Sequence, residues 1–144
     1  MNEMRHWVIV ASKNHVMNGV RAGIAQANHG KAASLKRMKV GDGVLYYSPK
    51  WEFEGSEKLQ AFTAIGHVTG ETVYPFDMGD GFIPYRRDVK YLECVDVPIQ
   101  PLVSALTFIE NKTSWGYLFR FGFFEIPKPD FDLIASQMLE KINV

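Results

Sequence analysis

The chain holds a single cysteine, Cys94, in 144 residues, which leaves nothing for an internal disulfide and no thiolate cluster for a metal. Histidine is almost as scarce: His6, His15, His29 and His67 stand far apart in sequence, so neither a metal nor any other cofactor is expected. Net charge is missing too. Sixteen Lys and Arg balance sixteen Asp and Glu, so no global field draws the chain to nucleic acid. No apolar run approaches the roughly 20 residues of a membrane helix. The start, "MNEMRHWVIVASKNH", passes from an apolar strand into polar residues without a signal-peptide layout, which predicts a cytoplasmic protein with no membrane partner. Repeats, linkers and low-complexity tracts are absent as well, so residues 1–144 read as one domain.

What remains is an ordinary globular composition, 47% hydrophobic and 22% charged. β-branched and aromatic runs, closed by glycine, proline and polar turns, predict strands over about 6–11, 43–48, 60–69, 84–97 and 120–126, with a short one at "TVYPFD". The 84–97 segment reads as one long bent strand or two in succession, with Pro84 marking an edge or bulge. Ser12 is a plausible N-cap for a short helix carrying Val16 and Val20, weakened by Gly19 and Gly23. "PIQPLVSAL" predicts a short helix opened by proline, and "KPDFDLIASQMLEKINV" a longer one with Phe131, Ile134, Met138 and Ile142 on one face and Pro129 at its start. About six strands without a βαβ rhythm, flanked by helices, make this an α+β chain with a mixed or closed sheet.

The chemistry is less explicit. Cys94, placed mid-strand among apolar residues, has no helix N-terminus to activate it and reads as packed and inert. "GDG" at 41–43 and 79–81 opens no phosphate loop and reads as turns. No nucleophile and base stand paired, so no reaction is specified. Trp51 and Phe53 lie in a charged loop that has no core pattern. They read either as a lid folded on the barrel or as a stacking surface for a planar ring, whose edge Ser12, Gln26, Ser48 and Asp88 would read. Lys31, Lys36 and Arg37 fall in a stretch of cations without an acid, either a solvated surface or a phosphate-facing patch.

"RRDVKYLECVDVP" raises a sharper question. Strand alternation puts Ile83, Tyr85, Val89 and Tyr91 on one inward face, and Arg87 on it with them. An arginine there is either an ion-paired structural residue, with Asp88 or Asp77 as partner, or a cation at the mouth of a pocket.

The long motifs "AQANHGK", "QAFTAIG", "PYRRDV" and "FRFGFFEI" resemble those of EVE-domain proteins of the UPF0310 type, and the likeness runs from Trp7 to about Ile126. Ala22 stands where glycine is expected and Ile24 where an aromatic is common, which weakens ring stacking from that side. The resemblance implies a PUA-like mixed β-barrel with flanking helices, akin to YTH and ASCH domains. It also implies a concave pocket beside the barrel that receives a base, as YTH domains receive a methylated adenine. Transferred by position, Ser12 and Gly23–Gln26 (with Ile24 and Gln26) form the pocket, Tyr46 and Ser48 end a strand beside it, and Trp51 and Phe53 cover it. Arg86, Arg87 and Asp88 make the opposite wall, and Lys31, Lys36, Arg37 and Arg86 contact phosphates. The implied function is a non-enzymatic module that binds DNA or RNA carrying a modified base. A binder of a free planar small molecule, such as a modified nucleoside, is the alternative, and an enzyme acting on one comes third. The base, its modification and the oligomeric state are not given by the sequence.

Overall fold

Apolar residues alternate between two interiors along "HWVIV", which forms strand β1 (His6–Val10). Trp7 and Ile9 enter one hydrophobic cluster and Val8 the other, so β1 is buried on both faces and reads as a continuous apolar run. Strand β3 (Gly43–Lys50) repeats this division: Val44 and Tyr46 go one way, Leu45 and Tyr47 the other. The two strands pair in parallel, Trp7 opposite Val44 and Val10 opposite Tyr47. The computed structural model describes residues 3–140, so Ile142 of the expected C-terminal stripe lies outside the described residues.

Around this pair the sheet runs β2 (Ile24–Ala25), β6 (Tyr85–Tyr91), β4 (Lys58–Val68), β3, β1, β8 (Phe123–Ile126). Short strands β5 (Tyr74–Pro75) and β7 (Val97–Pro98) pair with β6 and β4. Every pairing except β1–β3 is antiparallel, so this is a mixed sheet of eight strands in an α+β fold. It curls into a half-barrel whose two ends approach each other. Gly122, at the start of β8, has φ +76, and a Cβ there would stand 2.6 Å from Oδ1 of Asn28, just past β2. Only glycine tolerates both that backbone and that contact.

Helix α1 (Lys13–Ala22) covers one face, burying Val16 with Val20 beside it, and stops at Gly23, whose left-handed backbone returns its N–H to the carbonyls of Gly19 and Val20. Helix α3 (Lys128–Glu140) covers the other with Ile134 and Met138 fully buried and Pro129 in its first turn. Both agree with the periodicity of the sequence. A six-residue helix, α2 (Ala32–Arg37), and the two-residue strand β2 had no such signal.

The segment 84–97 takes the second of its two expected forms, two strands in succession: after β6 the chain leaves the sheet, and Val95 donates its N–H to the carbonyl of Met138 on α3 before β7 begins. Three expectations are corrected. Cys94 lies between strands, half-buried against the core, not within one. The last strand starts at Phe123, because Leu118–Phe121 form a 3-10 turn that the left-handed Gly122 closes, sending Phe119 into the core. "QPL" at 100–102 is also a 3-10 turn.

Candidate functional site

Strand β1 ends opposite Tyr47 while β3 runs on to Lys50, and Ala11 N–H still donates to the Tyr47 carbonyl (3.1 Å) before the chain turns into α1. Ser12 is buried at that turn. Its hydroxyl donates to Asn14 Oδ1 (2.7 Å) and does not cap the helix. Asn14 N–H is instead taken by the Trp51 carbonyl (2.9 Å), which seats the 51–57 loop on the first turn of α1. The N–H groups of Lys13 and His15 find no acceptor among the described residues. A helix start with unspent amides favours an anion or a carbonyl edge.

The two aromatic residues of the loop stay open: Trp51 is 40% and Phe53 52% exposed. Lys13 Nζ lies 5.2 Å from the Trp51 ring and is ion-paired with Asp96, while the His15 imidazole stacks on Phe53 at 5.3 Å. The loop thus covers the beginning of α1, leaving two rings half in water.

Behind it, the face of β3 that carries Tyr46 and Ser48 is fully engaged. Ser48 is buried against the Thr63 hydroxyl (2.7 Å). Tyr46 donates to the Gln26 carbonyl (3.0 Å) and accepts from the Gln26 amide (3.2 Å); burial pushes its pKa up to about 12. Tyr91 donates to the Ile24 carbonyl (2.9 Å) and lies 6.4 Å from Tyr46 ring to ring. These tyrosines strap β2 to the sheet. Ile24 is only 6% exposed and packs in the core beside Ala25. The Gln26 side chain is half-buried and makes no hydrogen bond to the described residues, which leaves its amide for a ligand.

The arginine pair divides across the sheet. Arg87 is 6% exposed, and its guanidinium donates to the carbonyls of Gly70 (2.9 Å), Leu35 (3.0 Å) and Met38 (2.6 Å). It is neither a rim cation nor half of an ion pair: it caps the negative end of α2 and holds it to β6. Burial lowers its pKa, and the carbonyl cluster is what lets the charge remain inside. Of its predicted face companions, Val89 and Tyr91 are inward, but Ile83 precedes β6 and Tyr85 is its first residue, and both are exposed.

Arg86 points the other way. Its guanidinium sits 3.9 Å over the Phe76 ring and donates to the Met78 sulfur (3.0 Å), while its Nε is buried without a partner. Asp88 is exposed and accepts from the Tyr74 hydroxyl (2.6 Å), so it braces β5 and does not pair with either arginine. The cations of α2 are exposed, though Arg37 rests over Trp7 (5.1 Å) and Phe123 (5.5 Å), leaving Lys31 and Lys36 as the freer charges. The Cys94 thiol is pushed up by burial, which keeps it a poor nucleophile.

Sequence reasoning missed two participants. Asp42 is buried and accepts from Trp7 Nε1 (2.9 Å) and the amides of Arg5 (3.1 Å) and Lys39 (2.9 Å), fixing the turn before β3. Gly30, with φ +83, lets "HGK" press on Pro84, whose Cβ would be 2.6 Å from an added one. That contact locks the segment after β2 to the loop before β6.

Known proteins resemble this chain over most of its length. A UPF0310 protein of Mycolicibacterium gilvum is 47% identical over 135 residues, covering 94% of this chain and 96% of its own. Another from Mesorhizobium japonicum is 50% identical over 135 residues, covering 92% and 91%. Among solved structures, the YTH domain of the Zygosaccharomyces rouxii MRB1 protein, in complex with N6-methyladenosine RNA, superposes with a TM-score of 0.59 at 14% identity. The match spans 95% of this chain and 86% of that one. The model of the EVE domain matches residues 5–137, and on that match and these relatives the chain belongs to the EVE domain family.

Proposed function

We propose that this protein is a non-enzymatic binding module that accepts a modified base, flipped or unpaired, from nucleic acid at the start of α1. The observation that carries the reading is the pairing of two half-exposed rings, Trp51 and Phe53, with a helix start whose Lys13 and His15 amides are unspent. Stacked rings hold any base by its face, and the open amides with the Gln26 side chain select its edge. Lys31, Lys36 and Arg86 supply phosphate contacts around it. The YTH neighbour, solved with methylated RNA, supports the same use of the fold. Zero net charge makes the phosphate contribution small, so isolated binding is weak and rests on stacking.

Titration of the purified protein with modified and unmodified nucleosides and short oligonucleotides, at two salt concentrations, tests this. Trp51→Ala should weaken both ligands by roughly 1–3 kcal/mol. Oligonucleotide affinity should fall with salt. Binding of nucleoside with an oligonucleotide affinity indifferent to salt selects the free planar metabolite instead, a reading the neutral charge favours. Failure of every ligand to respond to Trp51→Ala overturns the site.

A further inference from the structure

On the opposite face of β3 the structure holds a cleft of about 260 Å³ that no part of the base-binding reading uses. Tyr47 and Pro49 line it, alternating along the strand with Tyr46 and Ser48, so it opens behind the sheet from them. Its walls are aromatic. Phe119 stacks on Tyr47 at 4.1 Å, and Trp115 stands edge-on to Phe119 at 6.3 Å. The volume lies just below the roughly 300 Å³ at which drug-sized pockets begin, which suits one ring system.

Three polar features make this a built site and not a packing flaw. Tyr47 is 2% exposed and its hydroxyl makes no hydrogen bond to the described residues, but that oxygen is not sealed from solvent: it opens into the cleft, while burial of the residue pushes its pKa up. A phenol with no internal partner that faces an aromatic cleft is free to bond a ligand. Gln60 lines the cleft with φ +55, a left-handed backbone that glutamine rarely adopts. It sits in the bulge where β4 passes Pro49: Ser48 pairs with Ala61, the next pairing is Lys50 with Lys58, and proline offers no N–H to hold the residues between. Strain of this kind persists where the surroundings hold a side chain in place for use. Its backbone carbonyl accepts from Ile99 N–H (3.0 Å), its side-chain Oε1 accepts only a long contact from Gln100 Nε2 (3.5 Å), and its side-chain NH2 meets no acceptor among the described residues. Finally, the exposed Arg120 lines the cleft with no carboxylate partner among the described residues.

We infer that this cleft is a second ligand site, for a planar ring carrying an anionic group, of the chemistry of a nucleoside monophosphate. The ring lies in the cleft against Trp115 and Tyr47, beside the edge-to-face Trp115–Phe119 pair. The Tyr47 hydroxyl and the Gln60 amide meet the ring edge, and Arg120 takes the anion. Such a ligand is either free or one nucleotide of a strand.

Titration of the full chain with nucleoside 5′-monophosphates, the matching nucleosides and tetranucleotides, read by Trp fluorescence and melting temperature, tests the site. Monophosphates should saturate it and bind better than nucleosides, and Arg120→Gln should erase that preference. Tyr47→Phe should weaken binding about tenfold without lowering the melting temperature. Gln60→Gly should raise the melting temperature, by relieving the backbone, and still lose affinity. A tetranucleotide bound more tightly than its monophosphate assigns the site to a strand; the reverse assigns it to a free nucleotide. Trp51→Ala, which removes the base-binding reading, should leave in place the part of monophosphate binding that Arg120→Gln removes. Absence of saturable binding by any of these probes, or binding indifferent to both Tyr47→Phe and Gln60→Gly, overturns the inference.

Discussion

Tyr46 and Tyr47 are chain neighbours on one strand, both almost wholly buried, and their hydroxyls meet opposite fates. Tyr46 faces an interior in which polar groups are answered: it bonds Gln26, Tyr91 bonds Ile24, Trp7 bonds Asp42, and Arg87 bonds three carbonyls. Tyr47 faces an interior with an unanswered phenol, a strained glutamine and an aromatic cleft. Identical chemistry on the two sides thus serves different ends. An answered polar group holds elements together, whereas one that opens to solvent in a space the size of a ring stays available to a ligand.

The largest way to break this contrast is at Arg87. Arg87→Met should cost about 3–5 kcal/mol, because several buried carbonyls lose a charged donor at once. A melting temperature lower by on the order of 10 °C is the expected reading. A variant that melts like the wild type would make Arg87 something other than a structural clamp. Next comes the tyrosine pair. Tyr46→Phe should cost about 1–2 kcal/mol, by orphaning the Gln26 backbone, whereas Tyr47→Phe should cost nothing or stabilise slightly. Denaturant melts of both variants sharpen or abolish the difference between the two faces.

The smallest effect belongs to the water-facing edge, where Arg5 donates to Glu125 (2.5 Å) across β1 and β8. Hydrogen bonding to Arg5 holds the Glu125 pKa below its usual 4.5. A depressed carboxylate stabilises the fold above its unfolded value and loses that contribution as pH falls through its folded value. Glu125→Gln should therefore lower the melting temperature slightly at pH 7, with the difference from wild type shrinking as pH falls below 4.5 and gone once pH is below the depressed folded value. A difference that persists in acid would mean that packing, and not charge, is involved.

Much of this was legible in the sequence, for reasons that particular residues make plain. The 3.6-residue spacing of Val16 and Val20, or of Ile134 and Met138, reports burial that each helix decides locally. Strands β1, β3 and β4 announced themselves by apolar runs, and the long motifs identified the family. Arg87 resisted. Its acceptors are main-chain carbonyls contributed by residues 17, 49 and 52 positions away, and any residue can supply a carbonyl. The same holds for the Trp51 carbonyl on Asn14, which turned a lid over the barrel into a cover for a helix start. Gln60 left no trace, since left-handed backbone carries a signal only when glycine or asparagine adopts it.

The parallel pairing of β1 with β3 has a consequence for synthesis. β1 is made first, but its neighbours in the sheet are β3, reached only after α1, β2 and α2, and β8, near the far end of the chain. An emerging chain therefore exposes an apolar strand with two unpaired edges until residue 43 and beyond have left the ribosome, and one open edge until β8 follows. Pairings this distant in sequence slow folding and lengthen exposure to aggregation. The segment "HWVIV" is thus the part of the molecule most in need of a chaperone while it waits.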